Sequence, residues 1–265
     1  MAEFTDQIGN VLSIDKSPMR IVSLVPSITE LLYDLGLEDR IVGITKFCVH
    51  PNRAKATTTI IGGTKKVHFE KIRLLKPDII IANKEENTIE IVQQLQQFCN
   101  VWVTNIITLD DNAQMITDFG TLFNCRTEAQ KLNDKISFAR SNFENFMADK
   151  PIRKVAYFIW REPYMAAGGD NFINTMLQLN KLDNIYKDRG RYPEVELKKI
   201  RIYGDPDYVL LSSEPFPFNE EHAFEIGRFT HHAKTVFVDG EMFSWYGSRI
   251  VKAFSYFTTL QHRIN

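Results

Sequence analysis

Short apolar runs alternate along most of this chain with segments whose apolar residues recur every three or four positions. The run IVSLV at 21–25 predicts a buried strand, and Pro26 breaks it at once. Ser27-Ile28-Thr29-Glu30 has capping-box spacing, which predicts a helix over about 28–35, closed by Gly36. A strand at 41–45 and a short helix near 69–75 follow. Lys76-Pro77-Asp78 then leads into the strand IIIA, a polar helix at 87–97, the strand VWVT at 101–104 and a helix at about 110–123. Ahead of these, FTDQIGNVLSI at 4–14 reads as a hairpin turning at Gly9-Asn10. Strands alternating with helices predict a mostly parallel sheet covered on both faces.

Residues 126–149 break this rhythm. They contain no glycine or proline, and Leu132, Ile136, Ala139 and Phe143 fall at helical spacing among charged residues. One helix of about 36 Å is predicted at 1.5 Å per residue, ended by Pro151. The alternation then restarts, with RKVAYFIW at 153–160 as a strand and 171–179 as a helix. Asp205-Pro206-Asp207 leads into YVLL, followed by a helix near 219–227, the strand TVFV at 235–238 and a last helix from about 246. The second half repeats the order of the first, Val22 matching Val155 and Pro77 matching Pro206. Each Pro-Asp pair reads equally well as turn punctuation, so the order of elements carries the repeat. The predicted fold is α/β: two similar lobes with mostly parallel sheets joined by one long backbone helix. The N-terminal lobe with its hairpin takes 1–125, the connecting helix 126–149 and the C-terminal lobe 150–265.

Composition narrows the function classes. The chain has 265 residues, 44% hydrophobic and 25% charged, and its 32 basic and 33 acidic residues nearly cancel. No global field draws it to nucleic acid or an anionic membrane. Cys48, Cys99 and Cys125 are too few for a disulfide framework and lack metal-ligand spacing. No apolar run is long enough for a membrane span, and the first twenty residues hold no signal-like run. That leaves a cytoplasmic protein or one whose leader has been removed. The sequence contains no G-x-G-x-x-G, phosphate loop or G-x-S-x-G elbow, and Gly62-Gly63-Thr64-Lys65 lacks the phosphate-loop spacing. Ligands of open α/β sheets collect beyond the carboxyl ends of the strands, which makes Pro26 and Ser27 candidate contacts.

The strand-end loops are rich in aromatic residues: Phe47, Trp160, Tyr164, Tyr192, Phe216, Phe218, Trp245 and Tyr246. Such surfaces hold flat, largely apolar ligands, and about half of these residues are expected to touch ligand, the rest being core. His50 in FCVHP is either a turn residue or an axial ligand for haem iron or cobalt. Cys48 and His50 do not read as nucleophile and base, and His231-His232 reads as solvated, so no bare-metal site is evident. NKEENTIE at 83–90 reads as an acidic helix start.

Longer stretches carry a resemblance. RIVSLVPSITELLYDLGLEDRIVGITKFCVHP and IGGTKKVHFEKIRLLKPDIIIANKEEN in the first half, with AAGGDNFINTMLQLNKLDNIYKD, YPEV, GDPDYVLL and EMFSWYGSRIV in the second, resemble the helical-backbone (class III) substrate-binding proteins of ABC importers. That class binds cobalamin, haem and ferric siderophores, and the likeness to its cobalamin-binding members is greatest. It implies a ligand clamped between the lobes, no catalysis, no required cofactor, an importer permease as partner, no nucleic acid, and a periplasmic monomer. Matched to cobalamin-binding relatives, the cleft positions are Phe47, Thr64, Asn83, Met165, Tyr192, Glu241 and Trp245. Pro26, Ser27, Trp160 and Phe216 complete the ligand-binding candidates. Thr64 and Asn83 stand where those relatives carry tryptophan. The resemblance implies permease docking through Glu70 and, since Lys198 occupies the expected second position, through Glu196. Arg161 and Arg249 are candidate partners for propionates or siderophore oxygens. A corrinoid is the expected ligand; the alternatives are haem, a ferric siderophore, or a cytoplasmic corrinoid-handling protein or enzyme on the same scaffold.

Overall fold

The computed structural model describes residues 2–264. Its elements gather into two units. The first takes the chain up to Ile106, then Asp110–Ile136 and Tyr246–Arg249; the second takes Ile107–Leu109, Ser137–Trp245 and the chain from Ile250.

The first unit opens with a hairpin, β1 (Ala2–Thr5) antiparallel to β2 (Val11–Ile14). The buried Asp6 carboxylate organises its turn, accepting the N–H groups of Ile8, Asn10 and Val103 at 2.8–3.0 Å. There follow β3 (Ile21–Ser23), α1 (Pro26–Asp34), β4 (Ile41–Ile44), α2 (Ala54–Thr57), β5 (Thr59–Ile60), α3 (Phe69–Leu74), β6 (Ile79–Asn83), α4 (Ile89–Gln96), β7 (Asn100–Thr104) and α5 (Leu109–Leu122). The five strands form one parallel sheet in the order β5-β4-β3-β6-β7. Ile21, Ile79, Ile80 and Ile81 are all buried, as a parallel strand covered on both faces requires.

The long α6 (Arg126–Met147) is one uninterrupted helix, and the chain passes along it from the first unit into the second. The second unit contains β8 (Arg153–Trp160), β9 (Met165–Ala166), α7 (Phe172–Leu179), β10 (Leu182–Asn184), α8 (Ile200–Tyr203), β11 (Tyr208–Ser212), α9 (Glu220–Gly227), β12 (Lys234–Val238), α10 (Gly240–Ser244) and α11 (Ile250–Ile264). Its parallel strands run β10-β8-β11-β12, with β9 antiparallel on β8. The order β4-β3-β6-β7 of the first sheet is thereby repeated.

The two Pro-Asp pairs prove to be more than turn punctuation. Asp78 Oδ2 accepts the N–H groups of Met19 and Arg20 at 2.8 and 2.9 Å, and the Asp78 N–H donates to the Arg20 carbonyl at 2.8 Å. Asp207 repeats the device: Oδ2 accepts the Lys154 N–H at 2.8 Å, and its own N–H donates to the Lys154 carbonyl at 2.8 Å. Both prolines follow a residue in the left-handed region, Lys76 (φ 46°) and Asp205 (φ 44°). Each aspartate clamps the start of one strand to the start of its neighbour and so sets their register.

Several local expectations are corrected. The capping box at Ser27 does not form: α1 begins at Pro26, its N-cap is Val25, and no side chain caps it. Proline needs no N–H partner at the first helical position, so the helix starts two residues earlier than the capping box implies and Glu30 is released for another partner. Thr88 delays α4 until Ile89 by accepting the Ile91 N–H at 3.4 Å. The last helix starts at Ile250 rather than about 246, after a turn in which Gly247 adopts φ 86°, and a separate short helix, α10, precedes it. Strands β5, β9 and β10, of two or three residues, are too short to leave a periodic signal.

Candidate ligand-binding site

In each sheet the chain leaves its first strand for one neighbour and returns on the other side. β3 lies between β4 and β6, and β8 between β10 and β11. These are the switch points where α/β sheets open a crevice at the strand carboxyl ends.

In the first unit, the residues leaving β3 are buried, Pro26 and Ser27 included. Tyr246 is buried with the Ser27 and Thr104 hydroxyls beside its own, and burial raises its ionisation well above the ordinary tyrosine value. Asn83, at the end of β6, donates its amide N–H groups to the Thr104 carbonyl and hydroxyl at 3.1 and 3.0 Å. Its Oδ1 accepts from the N–H groups of Glu85 and Glu86 at 2.8 and 3.2 Å. All four bonding positions of that amide are therefore used within the fold. Asn87 extends the network, accepting the Asn83 N–H at 2.9 Å and donating to the Thr64 carbonyl at 2.9 Å. Asn83 and Thr64 thus belong to a polar brace that ties the loop after β6 to the Gly62–Lys66 turn. Phe47 is different: 49% exposed, it carries Lys46 Nζ 5.0 Å above its ring.

The same stretch settles the Cys48–His50 question. These residues lie in a turn after β4, not on a strand. The buried Cys48 thiol sits 3.1 Å from Thr29 Oγ1 and 3.3 Å from Thr45 Oγ1, and burial pushes its pKa up, away from a nucleophilic thiolate.

In the second unit, Trp160 ends β8 and is 40% exposed. Its ring meets Phe216 edge-on at 5.7 Å, and Phe216 packs on Phe218 at 4.9 Å and on His222 at 5.2 Å. The result is an aromatic ledge at the carboxyl ends of β8 and β11. Met165, paired with Trp160 across β9, also bridges Glu194 and so connects to the segment carrying the half-buried Tyr192. Gly168 and Gly169 fix that segment by donating their N–H groups to the carbonyls of Arg191 and Arg189 at 2.9 and 3.0 Å. A Cβ on either glycine would fall 1.8 Å from a backbone oxygen, of Gly190 and Lys187 respectively. The motif AAGGDN is glycine-rich because two backbones touch there.

Sequence reasoning missed Glu214, which follows β11. Its Oε1 accepts from Trp245 Nε1 at 2.8 Å and from Ser244 Oγ at 3.0 Å, holding the buried Trp245 ring. Burial is the main cause of a raised Glu214 pKa, and the nearby Glu241 and Asp239 carboxylates add to it. The two arginines singled out in the sequence already face carboxylates. Arg249 pairs with Glu30 within the first unit, whereas Arg161 lies 3.1 Å from Glu162 and 3.2 Å from Glu225. Glu70 is exposed in the first turn of α3. Glu196 is exposed and accepts from Lys199 Nζ at 2.6 Å, beside the exposed Lys198. His231 and His232 are exposed, as read from the sequence, but Asp205 joins them.

Residues 21–230 match the family described as "Periplasmic binding protein". The chain belongs to that family. Its members are binding proteins rather than enzymes, in keeping with the likeness carried by the sequence motifs. Among its relatives is an uncharacterized ABC transporter substrate-binding lipoprotein, YvrC of Bacillus subtilis, 27% identical over 216 residues, which are 77% of this chain and 67% of YvrC. Two solved structures share the fold. One is the periplasmic vitamin B12 binding protein BtuF of Vibrio cholerae, with TM-score 0.81 and 20% identity over 94% of this chain and 98% of BtuF. The other is the periplasmic haem-binding protein RhuT from Roseiflexus sp., in apo form, with TM-score 0.81 and 18% identity over 92% of this chain and 98% of RhuT. No helix among the described residues is long and apolar enough to cross a membrane.

Proposed function

We propose that this protein is the ligand-capturing component of an ABC importer and that its ligand is a corrinoid. The observation that carries this reading is the water-accessible aromatic surface at the strand carboxyl ends: the Trp160–Phe216 ledge in the second unit and Phe47 in the first. Half-exposed rings of this size are costly to leave in water and suit a broad, flat, apolar guest. The arginines support a corrinoid over haem. Arg249 and Arg161 are engaged by Glu30, Glu162 and Glu225, so neither stands ready for a propionate. The rim of a corrin is built of neutral amides, which Tyr192, Glu241 and backbone groups can meet. Where the resemblance led to an expectation of tryptophans, Thr64 and Asn83 form a polar brace, so stacking falls mainly to the second unit.

The protein performs no chemistry on its guest. It works outside the cytoplasm and delivers the ligand to a permease, with Glu70 and Glu196 as its docking carboxylates. Glu70→Ala then lowers uptake without changing ligand affinity.

Titration of the purified chain with cyanocobalamin, haem and a ferric siderophore, read by quenching of tryptophan fluorescence, tests the reading. Saturable binding of cyanocobalamin is expected, weakened by roughly 1–3 kcal/mol in Trp160→Ala, as for aromatic contacts that become buried on binding. Binding of haem alone would transfer the same site to a different tetrapyrrole. Binding of none of the three would overturn the proposal.

A further inference from the structure

The strands of the second sheet have two ends, and the ledge occupies only one of them. At the other, β11 and β12 start level, Tyr208 opposite Lys234. Asp205 lies three residues ahead of Tyr208, and His231 three ahead of Lys234, so the register brings the two preceding loops together. One potential ligand atom from each of Asp205, His231 and His232 lies within 4.8 Å of the others.

We propose that Asp205, His231 and His232 form a binding site for a divalent transition metal of the zinc type. Three details of geometry support it. His232 Nδ1 lies 3.6 Å from Asp205 Oδ2, while Nε2 lies 3.3 Å from Asp207 Oδ1. In the tautomer that donates Nε2–H to Asp207, His232 presents an unprotonated Nδ1 toward Asp205, the arrangement in which a carboxylate orients a metal-binding imidazole. Asp207 is itself held, since its Oδ2 accepts the Lys154 N–H at 2.8 Å. Asp205 Oδ1 is buried and receives no hydrogen bond among the described residues, an oxygen lacking the partner that burial demands.

The His232–Asp205 spacing fits the ion. Ligands at about 2.0–2.1 Å around a tetrahedral zinc stand ~3.3 Å apart, close to the His232–Asp205 separation. Two imidazoles and one carboxylate form a donor set for Zn2+, Co2+ or Ni2+ rather than for Ca2+ or Mg2+. Three protein ligands leave one position for water. A bound ion would tie the loop after α9 to the start of β11, away from the ledge.

Calorimetric titration of untagged, full-length chain with zinc sulfate tests this, with Co2+ absorption as the second measurement. One ion per chain and a tetrahedral Co2+ spectrum are expected. Affinity should fall at least tenfold in His231→Ala, His232→Ala and Asp205→Asn, while His68→Ala, an exposed histidine elsewhere, keeps wild-type binding. His231 and His232 are exposed, so these variants should fold, as circular dichroism will verify. Absence of saturable binding overturns the proposal. So does weak, multi-site uptake that no substitution changes, which would mark adventitious association.

Discussion

Arg249 and Glu30 form a two-point ion pair within the first unit: Nε lies 2.7 Å from Glu30 Oε2, and Nη2 lies 3.1 Å from Oε1, both side chains being buried. The pair fastens the turn at Gly247–Arg249 to α1. The Gly247 N–H adds a second tie to Asn112 Oδ1 at 2.6 Å. Removing one partner leaves a charge stranded in the interior, so Arg249→Met and Glu30→Gln should each cost about 3–5 kcal/mol. The double variant should cost less than the sum of the two by about 1–3 kcal/mol. Urea denaturation of the four proteins closes this cycle; strict additivity would deny the pairing.

A pH effect is expected from Glu214. Burial raises its pKa in the folded protein, so folding favours the protonated acid. The stability it contributes is fully present below its unfolded value of about 4.3. It is lost as pH rises through the raised folded value. Glu214→Gln mimics the neutral acid and keeps an oxygen for Trp245 and Ser244. Subtracting its stability from that of the wild type at each pH cancels the titrating groups that do not interact with Glu214. The difference should fall as pH rises above about 4.3 and level off once the raised folded value is passed; a flat difference would contradict the assignment.

The fold was legible wherever a long periodic segment or a buried β-branched run left no second interpretation. IIIA, RKVAYFIW and the glycine-free 126–149 segment are of that kind. Errors came where one residue has two uses. Ser27 and Glu30 have the spacing of a cap, yet Pro26 can start a helix without one, and the remote Arg249 then claims Glu30. No local pattern announces a partner more than two hundred residues away. Glu214 was invisible for the same reason, since a lone acid before a proline says nothing about a tryptophan thirty-one positions on. The candidate site was read from the sequence as a set of aromatic residues at strand ends. Which of them stay exposed depends on packing alone: Trp160 and Phe47 do, whereas Trp245 and Tyr246 are buried.

The strand-start clamps can be tested separately. Asp78→Ala removes an acceptor for two backbone N–H groups, and Asp207→Ala removes one for a backbone N–H and for the exposed His232 ring; each should cost about 1–3 kcal/mol. The two losses should add within about 0.5 kcal/mol, since the clamps share no partner. Chemical denaturation of both single variants and the double measures this.

The paired glycines carry their own control. Gly168→Ala or Gly169→Ala drives a methyl group into a backbone oxygen and should cost at least about 3 kcal/mol, the upper range for overpacking. Gly190 has nothing within 4 Å of an added Cβ. Its replacement by alanine should stay within about 0.5 kcal/mol of wild type. Equal losses at Gly169 and Gly190 would show that the close approach is unimportant.

The glycine contact also bears on engineering the proposed ligand contact at Tyr192 for a new guest. Two backbone rungs, from Gly168 to Arg191 and from Gly169 to Arg189, fix the phase of the segment that ends at Tyr192. An inserted or deleted residue there would slide Tyr192 off its station, whereas a changed side chain would leave the frame intact. Directed-evolution libraries aimed at altered specificity should therefore randomise the identity of residue 192 and its neighbours while holding the loop length constant.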